Sequence, residues 1–80
     1  MSPLKIIMLM RLRSRAHPFD DMPEEQIVAP AMQEAFGFFR KHGLLADHVT
    51  WISVKHGRAG YPFLSFKGHQ LVERLCEVEP

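Results

Sequence analysis

This chain has one cysteine, no long apolar run and almost no net charge. A single thiol, Cys76, excludes an internal disulfide and a thiolate zinc knuckle. No residue run is long enough to span a membrane. The net charge of +1 lacks the basic excess that usually marks a nucleic-acid binder, although charge distribution matters more than the sum. The five histidines (His17, His42, His48, His56 and His69) form neither a His-x3-His pair nor an H-E-x-x-H motif. Gly57 and Gly60 precede no helix start, so there is no phosphate-cradling loop. Asp20-Asp21 and Glu24-Glu25 read as charges at a helix start, not as an acid/base pair. These patterns predict no enzyme, no metal and no cofactor.

What is present is an ordinary globular composition, 46% hydrophobic and 24% charged, over 80 residues. One domain, 1–80, is expected, with a core so thin that nearly every apolar residue is needed. The expected compartment is the cytoplasm. The stretch Leu64 to Leu75 organises the reading. Ser65 is a helix N-cap by type, since its hydroxyl can accept from unpaired first-turn amides. After it, Leu71, Val72, Leu75 and Cys76 recur as one apolar stripe at helical spacing. Cys76 is therefore expected in the core.

Near the N-terminus, a five-residue apolar run between Lys5 and Arg11 is followed by no small-residue cleavage site, so it reads as a helix and not a signal peptide. The helix is predicted over about 4–14. Leu4, Ile7, Met8 and Leu12 form one stripe, and Ile6, Leu9 and Met10 a second. A helix apolar on two sides is central to its core or partly buried in a partner, which raises a homodimer through this helix as an expectation. Arg11, Arg13 and Arg15 read as a solvated helix end or as phosphate contacts. His17-Pro18 forces a loop. A helix of at most two turns then starts near Met22, with Ile27 and Val28 as its buried residues, until Pro30 interrupts it.

A third helix is predicted over 30–42. Met32, Ala35, Phe36 and Phe39 fall at i, i+3, i+4 and i+7, a buried face, and Gly43 suits a left-handed stop. Gly37 costs roughly 1 kcal/mol against alanine within a helix, which either close packing against another backbone or simple tolerance would explain. The segment 48–55 is rich in β-branched and aromatic residues and alternates weakly, which predicts a strand. Residues 56–60 form the turn, and Tyr61-Pro62-Phe63-Leu64 returns as an edge strand. The expected class is α+β, a small winged helix with three N-terminal helices, a β-hairpin wing and a C-terminal helix.

Pro30-Ala31-Met32-Gln33-Glu34-Ala35, then Gly43-Leu44-Leu45, then Gly60-Tyr61-x-x-Leu64-Ser65-x-x-Gly68-x-x-Leu71-Val72-x-x-Leu75-Cys76 resembles the small winged-helix proteins of phages and prophages. The Ser/Thr-x-x-Gly ending is shared with regulators of the MarR and PadR type. Phe66 departs from the pattern, because that position is usually polar. The resemblance implies a transcription regulator that binds double-stranded DNA. The third helix would lie in the major groove and the wing on the backbone. Gln33 would face bases, and Arg40, Lys41, Lys55, His56 and Arg58 would face phosphate. Glu34 opposes that reading.

The alternative belongs to another class. A phage-type winged helix also serves as a scaffold for binding a host or defence protein, in the manner of an anti-CRISPR inhibitor. Surplus apolar residues mark the expected contacts, namely Met10, Phe38 and Phe66. Phe38 lies off the stripe of the third helix, and either the first helix or a partner buries it. Phe38 and Phe66 together in one exposed patch would point to a protein partner.

Overall fold

The computed structural model describes residues 2–14, 16–51, 54 and 62–78. Four helices organise them: α1 (Pro3–Ser14), α2 (Glu24–Ile27), α3 (Pro30–Lys41) and α4 (Phe66–Val78). Each starts for a local reason. Ser2 accepts the Lys5 amide through its hydroxyl at 3.4 Å ahead of Pro3, a residue with no amide to satisfy. Glu24 and Glu25 place carboxylates in the first turn of α2, where the helix dipole favours them. Pro30 opens α3, and Gly43, at φ 69°, ends it in the left-handed region.

The core gathers one face from each long helix. Met8, Leu9 and Leu12 of α1 meet Met32, Ala35, Phe36 and Phe39 of α3 and Val72 of α4 in one cluster. Residues between the long helices complete it: Phe19, Leu44, Leu45, Val49, Val54, Phe63 and Leu64. Trp51 stands edge-on to Phe36 at 5.2 Å between ring centroids and tilted to Phe19 at 6.2 Å. Among the described residues no polar or charged side chain is buried, so burial of apolar surface dominates the stabilisation.

The winged-helix expectation is corrected here. Among the described residues there is no strand and no sheet, hence no hairpin wing, and the described fold is helical, not α+β. In the segment read as the first wing strand, Trp51 and Val54 are helical. The Val54 amide donates to the Thr50 carbonyl at 3.1 Å, an i→i−4 bond that closes a helical turn. Alternation would send Val49 and Val54 to opposite faces, yet both are buried. Propensity for strand is weak, and burying both valines overrides it. The expected returning strand contributes only one antiparallel bridge, Leu45 to Leu64. The Ala46 amide donates to the Phe63 carbonyl at 2.9 Å, and the Ser65 amide to the Leu44 carbonyl at 3.0 Å. This clasp fastens the end of α3 to the start of α4.

Three smaller expectations also change. In α1 the buried set, Met8, Leu9 and Leu12, draws on both predicted stripes, because the helix turns the wedge between them toward the core. Val28 is 45% exposed, since α2 ends at Ile27. Cys76 is exposed, 3.8 Å from the Arg13 guanidinium: it follows buried Val72 at i+4 on the same face, but sits in the last turn of α4 beside exposed Arg13.

Candidate functional site

Among the concavities of the described surface, one has an arrangement that its sequence pattern explains. Leu44, Lys67, Gln70, Leu71 and Arg74 line a groove of about 290 Å³ beside α4. Leu44, buried, and Leu71, half-buried, form its apolar floor. Lys67, Gln70 and Arg74 are exposed along its rim. Lys67, Leu71 and Arg74 follow at i, i+4 and i+7, which puts them on one side of a helix.

Gly68 brings α4 close to Leu44 in the floor of this groove. A Cβ on it would overlap the carbonyl oxygen of Leu44 and lie 3.1 Å from the carbonyl carbon and 3.3 Å from Leu64 Cβ. The missing side chain therefore lets α4 settle directly on the Leu44 backbone. Ser65 orients the approach. Its hydroxyl oxygen accepts the Gly68 amide at 3.0 Å and donates to the Gly43 carbonyl at 2.7 Å. The first residue of α4, Phe66, is then directed outward and is 79% exposed.

Charges on α4 are sorted by face. Phe66, Glu73 and Glu77 continue along one line at i, i+7 and i+11, while Lys67 and Arg74 flank Leu71 on the groove side, with Gln70 between the two. Both acids are exposed, and neither lines the groove. No ion pair among the described residues engages Lys67 or Arg74. The arrangement offers two cations over an apolar floor, a binding chemistry without a nucleophile or an acid/base pair.

The residues singled out from the sequence scatter around this groove. Gln33, Arg40 and Lys41 are exposed on α3. The Arg40 guanidinium lies over the Phe36 ring, 5.5 Å from its centroid. Glu34, also exposed and next in the chain after Gln33, is 3.9 Å from the Lys5 ammonium. Lys55, His56 and Arg58 lie outside the described residues. Phe38 is half-buried: the Lys5 ammonium covers its ring at 5.1 Å and the His42 ring lies tilted against it, 4.3 Å between centroids. It packs against the core and is not an exposed companion of Phe66. Met10 is half-buried and shares a shallow depression on α1 with Ile7, Arg11 and Ser14. Ile7 is 53% exposed there. Another concavity, at Ala16, His17, Asp20 and Asp21, gathers no set of metal-ligating groups among the described residues.

Sequence reasoning passed over Leu44, Lys67, Gln70, Leu71 and Arg74. Their signal was present in the heptad spacing of Lys67, Leu71 and Arg74, but Leu44 joins them only through the fold. No helix among the described residues is long and apolar enough to cross a membrane. The chain matches no protein family, no curated protein and no solved structure.

Proposed function

We propose that this protein is a protein-binding module whose contact surface is the start of α4 and the adjoining groove. The observation that carries the reading is Phe66, an aromatic ring left 79% exposed at the start of the helix whose next residue, Lys67, lines the groove. Single exposed apolar residues are common on monomers, so exposure alone does not decide. Phe66 is distinguished by its setting. Ser65 and Gly68 hold the helix start rigidly, and burying a presented phenyl ring contributes roughly 1.5–3 kcal/mol to association.

The experiment is site-specific photo-crosslinking in lysate of the source cells. A photoreactive phenylalanine analogue at position 66 gives one stoichiometric adduct, and the same analogue at exposed Gln26 does not. The adduct disappears in a Leu71→Glu background. Equal labelling from both positions, or none from 66, sinks the reading.

Double-stranded DNA is the second reading. It is favoured by Gln33, Arg40 and Lys41 lying exposed together on α3, which follows α2 after only Val28 and Ala29. The same helix carries Glu34, and the net charge is +1. A salt titration of retention on duplex DNA decides: phosphate contacts require affinity to fall steeply with salt and to weaken on Arg40→Ala and Lys41→Ala.

A further inference from the structure

We infer that the groove beside α4 takes a helix of a partner protein bearing two carboxylates one heptad apart with an apolar side chain between them. This inference rests on the protein-binding reading and specifies the partner's chemistry.

Lys67 and Arg74 are seven residues apart on one helix, which separates them by about 10 Å along its axis. Between them lies Leu71, with Leu44 beside it. A groove wall with the pattern cation, leucine, cation along two turns is complemented by a helix with the pattern acid, apolar, acid over the same two turns. Seven-residue spacing on both helices keeps the three contacts in register, as in side-by-side packing of two helices. The apolar residue of the incoming helix fills the space over Leu44 and Leu71. Its carboxylates meet Lys67 and Arg74, which no ion pair among the described residues already engages.

The distribution of α4 charge favours a helix over a nucleic-acid backbone. Glu73 and Glu77 lie on the neighbouring line and repel a continuous polyanion, whereas two spaced carboxylates avoid them. The floor is leucine, which phosphate and sugar do not fill. A second copy of α1 is also a poor fit. Its charged residues are Lys5, Arg11 and Arg13, all cations, and they would face Lys67 and Arg74.

The test uses the full chain and a labelled helical peptide with two glutamates seven residues apart and a leucine between them, followed by fluorescence anisotropy up to about 1 mM protein. The peptide binds, and it binds about tenfold or more weakly when both glutamates are glutamine. The double variant Lys67→Glu/Arg74→Glu loses the glutamate peptide and gains the matching lysine peptide. That gain cannot arise from misfolding. Several results overturn the inference. One is equal binding of glutamate and glutamine peptides. A second is no binding of the glutamate peptide at all. A third is a duplex oligonucleotide that binds in its place and is lost in the double variant. The crosslink from position 66 is read separately. If it persists while the peptides fail, the docking surface stands and the acidic-helix inference falls. If it is absent as well, both fall.

Discussion

The hydroxyl of Ser65 donates to the carbonyl of Gly43 at 2.7 Å, and the same oxygen accepts the amide of Gly68 at 3.0 Å. One side chain thus caps α4 and holds the residue that terminates α3. Ser65→Ala removes both bonds at once, with an expected loss of about 1–2 kcal/mol. Ser65→Thr retains the hydroxyl and most of that stability. Thermal denaturation of the two variants separates the bonds from the side chain's bulk: equal loss in both sinks the capping account.

Two glycines predict opposite outcomes for the same substitution. Gly37 lies within α3 with nothing within 4 Å of where a Cβ would sit. Gly37→Ala is therefore expected to stabilise by about 0.5–1 kcal/mol through helix propensity. Gly68→Ala gains the same propensity but drives a methyl into the Leu44 carbonyl, so it destabilises by about 1–3 kcal/mol. Urea denaturation reads both, and a stabilising Gly68→Ala would show that α4 does not rest on Leu44.

Phe38 and Phe66 are separable by stability and binding. Phe38 is packed beneath Lys5 and against His42 and Phe39, so Phe38→Ala costs about 1–3 kcal/mol and leaves the position-66 crosslink intact. Phe66 touches solvent over most of its surface, so Phe66→Ser changes stability by less than about 0.5 kcal/mol. Partner binding is expected to follow Phe66. Loss of binding in Phe38→Ala at unchanged stability would reverse the assignment.

Arg11 reaches from α1 to the loop before α2. Its guanidinium donates to Asp21 at 2.6 and 3.3 Å and to the Pro18 carbonyl at 2.9 Å. The hydrogen bond to Asp21 is the main reason the Arg11 pKa is raised, opposed in part by desolvation. A raised cation contributes fully below its ordinary pKa and loses that contribution only as pH rises through the raised value. The titration of Arg11 itself therefore adds no pH dependence at neutral or acidic pH; in acid the pair is lost only where its carboxylate partner takes a proton. Both partners are partly exposed, so Asp21→Asn is expected to cost about 0.5 kcal/mol, and less in high salt. A cost above about 2 kcal/mol would mean that the loop depends on this pair.

The four helices were legible because their causes are local. Met32, Ala35, Phe36 and Phe39 are all buried, as the spacing in α3 demands. Gly43 and Ser65 stand where a left-handed stop and a capping hydroxyl are required. Length, near-neutral charge and a lone cysteine likewise follow from composition. What the chain order alone misjudged is the region after Leu45. There β-branched residues suggested a hairpin, whereas Val49 and Val54 reach the same core through a helical turn at Thr50. A run's residue types register the preference of its own backbone. They do not register which neighbours will bury it, and in a small domain that burial outweighs the preference. The groove has the same origin. Lys67, Leu71 and Arg74 share a helix side by spacing, but Leu44 becomes their floor only because Gly68 admits its carbonyl, a contact across 24 residues that arises from packing.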